Sequence, residues 1–72
     1  MIFDYSKLNG KITEKYEKQY VFAKAMDWSE RTCCLKLGNK VEWKQSEILA
    51  ACKLLDINEA EIYIYFFTIK VQ

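Results

Sequence analysis

Helical spacing on both sides of a short polar turn constrains this chain more than any other feature of its sequence. The apolar residues that carry the spacing fall in two groups, Phe22, Ala25 and Met26 before the turn and Cys33 and Leu37 after it. Side chains three and four positions apart lie on one face of a helix. The pattern therefore predicts a helix, a sharp turn and a second helix over about residues 19–37.

The residues of the turn predict where the second of these helices begins. Ser29 can accept a hydrogen bond from a free backbone N–H in the next turn, and Trp28 is placed to pack against Cys33 as a hydrophobic staple. The second helix is therefore expected to start at Glu30. In the turn itself, Asp27 is a residue type that tolerates a left-handed backbone better than most others.

Further helices are predicted on either side of this pair. Asp4 is a suitable N-cap for a first helix over about residues 5–16, residues 45–54 form another, and Asn58 caps a last helix that begins at Glu59. The chain has 72 residues, no proline, two glycines and 51 % hydrophobic residues. We therefore expect a compact all-α domain of four to five helices followed by a short extended tail.

The tail, over about residues 66–72, is rich in β-branched and aromatic side chains, which favour extended structure. It is more apolar than one small domain easily covers, so it either completes the core or forms a contact between two copies of the chain. The candidates for a dimer contact are Tyr65, Phe66, Phe67, Ile69 and Val71.

The charge of the chain is small and unevenly distributed. The formal net charge is +1, but residues 18–44 carry six basic and three acidic side chains, whereas residues 55–72 carry one basic and three acidic ones. Only one side of such a molecule would attract phosphate. The alternative is that these charges merely keep the surface solvated.

Catalytic and metal chemistry are not expected. Three cysteines without any histidine form neither a disulfide framework nor a zinc site of recognised spacing, and Cys33 is expected to be a small core residue. There is no glycine-rich phosphate loop and no nucleophile beside a base. No cofactor is implied. The sequence also has no apolar run that could span a bilayer and no signal-peptide layout, so we expect a cytoplasmic protein.

The helix-turn-helix also resembles a known family. The resemblance is carried by Gln19, Phe22-Ala23, Met26, Ser29, Thr32 and Lys36-Leu37, and beyond them by Lys40, Trp43, Glu47 and Ile48. These positions resemble the Cro and phage-repressor family, particularly its small phage and prophage members. The departures are Asp27 where the family usually has Gly, Cys34 where a small polar residue is common, and Gly38-Asn39 where Asn-Gly is usual.

The resemblance implies a lambda-repressor-like DNA-binding domain whose second helix of the motif enters the major groove. The residues then placed nearest the bases are Glu30, Arg31, Cys34 and Leu35. Arg31 could bind guanine through O6 and N7. The candidates to hold phosphates are Gln19, Ser29, Lys36, Asn39, Lys40 and Lys44. Trp43 is expected to anchor the chain in the core or against DNA.

Two functions remain open at this point. The first is a Cro-like repressor of a phage or prophage switch that binds double-stranded operator DNA as a homodimer in a bacterial host, where it would be associated with the nucleoid. The second is a protein-interaction module on the same fold, an antirepressor or antitoxin-like partner that uses the apolar tail. Neither implies a membrane or a small-molecule substrate.

Overall fold

A computed structural model describes residues 2–71, and these residues form five α-helices. They are α1 (Ser6–Tyr16), α2 (Gln19–Ala25), α3 (Glu30–Leu37), α4 (Gln45–Leu55) and α5 (Ile62–Phe66), with a 3₁₀ turn over Glu59–Glu61 before α5. The expected all-α class is confirmed, and the helix-turn-helix comprises α2 and α3. None of the described helices is long and apolar enough to cross a membrane.

The core forms around α1, which packs against α2, α4 and α5. The largest fully buried side chains are Phe22, Phe66, Leu8, Ile12, Leu55 and Cys33. Trp43, in the loop between α3 and α4, meets Trp28 and Phe66 edge-on, with ring centroids 5.1 Å apart in both pairs. The predicted role of Trp43 as a core anchor is therefore confirmed, and the tryptophan pair holds the loop against the helices.

Two helix starts follow their predicted caps. Ser29 Oγ accepts a hydrogen bond from the Thr32 N–H at 3.1 Å, so α3 begins at Glu30. Asn58 Oδ1 likewise accepts from the Ala60 N–H at 2.9 Å, but the element it caps is the 3₁₀ turn, and α5 begins at Ile62, three residues later than the predicted start at Glu59. Each cap satisfies a donor that a helix end leaves without an intrahelical partner.

Two sequence expectations need correction near the first helices. Asp4 Oδ1 does accept a hydrogen bond, from the Ser6 N–H at 2.9 Å, but Tyr5 occupies the N-cap and α1 begins one residue later than predicted. Ala25, predicted to face inward, is exposed, whereas Ala23 is only 1 % exposed. The seven-residue α2 is rotated so that the side carrying Phe22 and Ala23 faces the core.

The turns on either side of α3 use non-glycine residues in the left-handed region. Asp27 has φ 62°, as predicted, and Asn39 has φ 64°. Gly38 instead has φ −91°, and a Cβ there would lie 3.0 Å from the carbonyl oxygen of Cys34. In the reversed Gly38-Asn39 order, the glycine thus supplies space at the end of α3 and the asparagine supplies the left-handed turn.

The tail begins after α5 and runs back along the N-terminal segment. Phe66 is the last residue of α5 and is 2 % exposed, so the tail begins later than the predicted boundary at 66. Beyond it, Ile69 and Phe3 form an antiparallel bridge. Phe67 is still the C-cap of α5, with φ −124° and ψ 16° and its N–H bonded to the Tyr63 carbonyl, so the expected extended tail begins at Thr68, where the backbone bonds to the N-terminal segment start. The predicted end of the tail at residue 72 lies outside the described residues.

Candidate functional site

The helix-turn-helix is held by close packing at its crossing point. α2 and α3 share the most extensive contact between any two elements of the described chain, and Ala23 and Cys33 are each 1 % exposed. The Trp28 N–H donates to the Ala23 carbonyl at 2.8 Å, and the Trp28 ring meets Phe22 edge-on. This packing fixes the angle at which α3 is presented to solvent.

The outer side of α3 brings together the four residues predicted to face DNA bases. Glu30, Arg31 and Cys34 are exposed and Leu35 is half-buried. With α2 they line an open depression of about 500 Å³. We call this surface the HTH face, and it comprises Gln19, Tyr20, Glu30, Arg31, Cys34 and Leu35.

Tyr20 is the member of the HTH face that sequence reasoning missed. Its side chain is 45 % exposed, and with Lys24 and Trp28 it also lines a neighbouring depression. The available signal was periodicity, because Tyr20 and Lys24 are one turn apart on the side of α2 opposite the buried Phe22. An exposed tyrosine beside an arginine gives the surface an aromatic as well as a charged contact group.

Lys36, predicted to hold a phosphate, is instead buried between α3 and α4. Its side chain is 6 % exposed, and its ammonium nitrogen lies 2.8 Å from Glu47 Oε1 and 2.9 Å from the carbonyl oxygen of Glu42. The same nitrogen lies 5.4 Å from the ring centroid of Trp28. Because its charge is enclosed in this way, Lys36 is not presented to DNA, and its assignment to phosphate is corrected.

The carboxylate of Glu47 completes this buried pair. Glu47 Oε1 also accepts the backbone N–H of Lys44 at 2.7 Å, at the start of α4. Burial opposes ionisation of Glu47, but the hydrogen bonds from Lys36 and Lys44 outweigh it, so the pKa of Glu47 lies below its ordinary value. Glu47 is therefore ionised at neutral pH and ties α4 to α3.

Asn39 is exposed, but its amide bonds to Phe3 through both its oxygen and its nitrogen. Its Oδ1 accepts the Phe3 N–H at 2.9 Å, and its Nδ2 donates to the Phe3 carbonyl at 2.9 Å. Because Asn39 lies on the surface, the prediction that it holds a phosphate stays a prediction. The side chain occupies the place that a neighbouring strand would take beside Phe3.

The other predicted phosphate residues are exposed. Gln19 Nε2 donates to Asn9 Oδ1 at 3.1 Å, and Ser29 caps α3 as described. Lys40 and Lys44 lie in the loop between α3 and α4 with exposed side chains. With Asn39, five of the six predicted phosphate residues thus lie on the surface, and only Lys36 is buried.

The dimer-contact candidates divide into two groups. Tyr65 is half-buried and Phe66 belongs to the core, so Phe66 is corrected as a contact. Phe67, Ile69 and Val71 are 50 %, 47 % and 91 % exposed. The exposed group is confined to the tail.

The cysteines do not form a reactive or metal-binding cluster. Cys33 is buried, as expected, and burial, followed by the neighbouring Cys34, raises the pKa of its thiol to about 11. Cys52 is also buried, and burial together with Glu59 raises its pKa. Within residues 2–71 no group of three or more His, Cys, Asp and Glu side chains could hold a metal ion.

Comparison with known proteins links this geometry to a phage protein. A family described as "Protein of unknown function (DUF739)" matches residues 1–69. The chain is also similar to the solution structure of the modulator of repression (MOR) of the temperate bacteriophage TP901-1 from Lactococcus lactis. The two chains are 56 % identical, with a TM-score of 0.84 and coverage of 100 % of this chain and 97 % of that one. No curated protein sequence matches the chain.

Proposed function

The chain belongs to the family described as "Protein of unknown function (DUF739)", and from that premise we propose that it is a phage regulatory protein that modulates repression by binding another protein through its HTH face. The observation that carries the proposal is the whole-chain similarity to MOR, a protein named for an effect on repression. That name supports a phage regulator more directly than it supports a Cro-type repressor.

The composition of the HTH face supports a protein partner. Tyr20 and Arg31 are of the residue types that dominate binding energy at protein interfaces. Cys34 and Leu35 add apolar surface between them, around the depression of about 500 Å³. Glu30 brings a negative charge to the end of α3 that would otherwise meet DNA phosphates.

The charge balance also favours a protein partner over DNA. The formal net charge is only +1, and DNA-binding domains are usually more basic. Lys36 is buried and paired with Glu47, so its charge contributes nothing to a phosphate-binding surface. Without Lys36, five cations are left around the motif, at Lys18, Lys24, Arg31, Lys40 and Lys44.

Direct operator binding as a homodimer is the second candidate, because α3 exposes Arg31 at its N-terminal end, where a recognition helix contacts bases. In that case Arg31→Ala would cost about 1 to 3 kcal/mol of DNA binding and relax the preference at one base pair. Both candidate functions use the HTH face, which would bind another protein in the first and operator DNA in the second.

A fluorescence anisotropy experiment with labelled operator DNA separates the candidates. The sample contains the operator and the repressor of the phage that encodes the chain, at moderate salt. Addition of the protein is expected to change the apparent affinity of the repressor for the operator, while the protein alone leaves the free duplex unchanged. Preference of the protein alone for the operator over a scrambled duplex would contradict the proposal.

Matched variants locate the effect on the HTH face. Arg31→Ala and Leu35→Ala are each expected to weaken the effect on the repressor at least about tenfold, or 1.4 kcal/mol. Lys53→Ala removes the same charge from an exposed position on α4, which contributes nothing to this face. Equal losses in all three variants would count against the assignment of the surface.

A further inference from the structure

One backbone edge of the tail is hydrogen-bonded to the N-terminal segment, and the opposite edge, among the described residues, has unpaired backbone groups at Ile69. The Asp4 N–H donates to the Thr68 carbonyl at 2.7 Å, and the Lys70 N–H donates to the Ile2 carbonyl at 2.9 Å. These bonds place Ile69 opposite Phe3 in the bridge and turn the N–H and C=O of Ile69 to the other edge. Within residues 2–71 neither of these two groups has a hydrogen-bond partner.

The side chains along the open edge are apolar on one face. Ile69 lies across from Phe3, and the Phe67 ring meets the Phe3 ring edge-on at 6.0 Å, so Phe67 and Ile69 share a face. Val71 follows at the next position of the same parity. All three are substantially exposed, and Val41 continues this apolar surface where it lines a depression with Phe67.

We propose that residues 68–70 pair antiparallel with the same residues of a second copy of the chain, about a two-fold axis at Ile69. The N–H of each Ile69 then donates to the C=O of the other, which satisfies both open groups. The two Ile69 side chains then face each other, and Phe67 of one copy, at the end of α5, lies at the same end of the contact as Val71 of its partner. Each apolar residue of the edge therefore meets an apolar residue.

The position of Lys70 favours one pairing register and a second copy of the chain as the partner. Pairing at Ile69 places Lys70 opposite Thr68, whereas pairing at residue 70 would place the two lysines directly opposite each other and destabilise the contact. In this register the edge is complementary to itself, in its apolar residues and in the position of Lys70. This self-complementarity favours a second copy of the chain over an unrelated extended peptide. Since the contact is small, we expect a dissociation constant on the order of 100 μM.

Variants that introduce a positive or a negative charge at Ile69, on the two-fold axis, test this pairing. Sedimentation equilibrium of the wild type, up to about 1 mM, is expected to show a monomer–dimer equilibrium at the dissociation constant given above. Ile69→Lys and Ile69→Glu are each expected to be monomeric, because like charges then face each other. An equimolar mixture is expected to dimerise again, since the charges become opposite. Circular dichroism establishes that both variants remain folded.

Three results would overturn the proposal. They are a wild type that stays monomeric over the whole concentration range, a dimer that survives in both single variants, and a mixture that fails to associate. Ile69→Pro gives an independent readout, because proline removes only the outward N–H and is tolerated at an edge. We expect this variant to keep the Lys70 bond to Ile2 and lose the dimer. The test does not involve the partner of the HTH face.

Discussion

Lys36 shows how one buried charge can organise the surface that surrounds it. Its ammonium group contacts Glu47 on α4 and the Glu42 carbonyl in the loop, and the Lys36 carbonyl accepts the Trp43 indole N–H at 3.3 Å. A charge placed this deep is retained only when its partners compensate for the lost water. The pair therefore fixes the end of α3 relative to α4.

Removal of the Lys36 charge should destabilise the fold, because its partner Glu47 is left without a cation. Lys36→Met leaves the partly buried Glu47 carboxylate without its cation, and we expect a loss of about 2 to 3 kcal/mol in the free energy of unfolding, measured with urea. The double variant Lys36→Met with Glu47→Gln leaves no unpaired charge and should lose less than the sum of the single variants. Strict additivity would show that the two groups do not interact.

The same pair should make stability depend on pH. Because the pKa of Glu47 is lowered in the folded state, its contribution is complete above the ordinary value of 4.5 and is lost as the pH falls through the lower folded value. The pKa values of Asp4 and Asp56 are also lowered in the folded state, so these groups add to the loss of stability at low pH. The contribution of Glu47 is therefore isolated by comparing the wild type with Glu47→Gln. The difference between their urea midpoints at pH 7 should shrink by pH 3. A constant difference would contradict this account.

At the scale of elements, the crossing of α2 and α3 requires a small side chain. Ala23 is 1 % exposed, and the Trp28 N–H reaches its carbonyl. Ala23→Leu should cost about 1 to 3 kcal/mol through overpacking, with a lower melting temperature measured by circular dichroism. Ala25→Leu is a matched control on the exposed side of α2 and should leave the melting temperature nearly unchanged.

The loop after α3 and the N-terminal segment are coupled by Asn39. Asn39→Asp keeps the acceptor for the Phe3 N–H but replaces the donor with an oxygen that faces the Phe3 carbonyl. We expect about 1 kcal/mol of local destabilisation. Amide hydrogen exchange at Asp4 and Lys70 should become roughly fivefold faster, while exchange within α4 should not change.

Local signals in the sequence were sufficient for the helices but not for the long-range contacts. Ser29 and Asn58 acted as caps because a cap bonds within two or three residues, and Asp27 took the left-handed turn that its residue type permits. The burial of Lys36 depends on Glu47, and the role of Asn39 depends on Phe3, 36 positions away. Helical periodicity contains no information about such partners.

At the scale of the whole molecule, the small net charge limits what electrostatics can contribute to binding. Five cations remain exposed around the motif, at Lys18, Lys24, Arg31, Lys40 and Lys44. The logarithm of the binding constant for nonspecific duplex DNA should therefore fall with the logarithm of the salt concentration with a slope no steeper than about −4.5. A measured slope near −8 would require more phosphate contacts than this surface provides and would support operator binding.

The asymmetry of the N-terminal segment and the tail limits how far assembly can proceed. Asn39 blocks the free side of Phe3, so the two-stranded ribbon can add a neighbour only along the tail. If two copies pair along the tail as proposed above, the outer boundary of each copy is closed by its own asparagine amide. Association at this edge would then stop after a single step, and the exposed tail would not act as a template for filament growth.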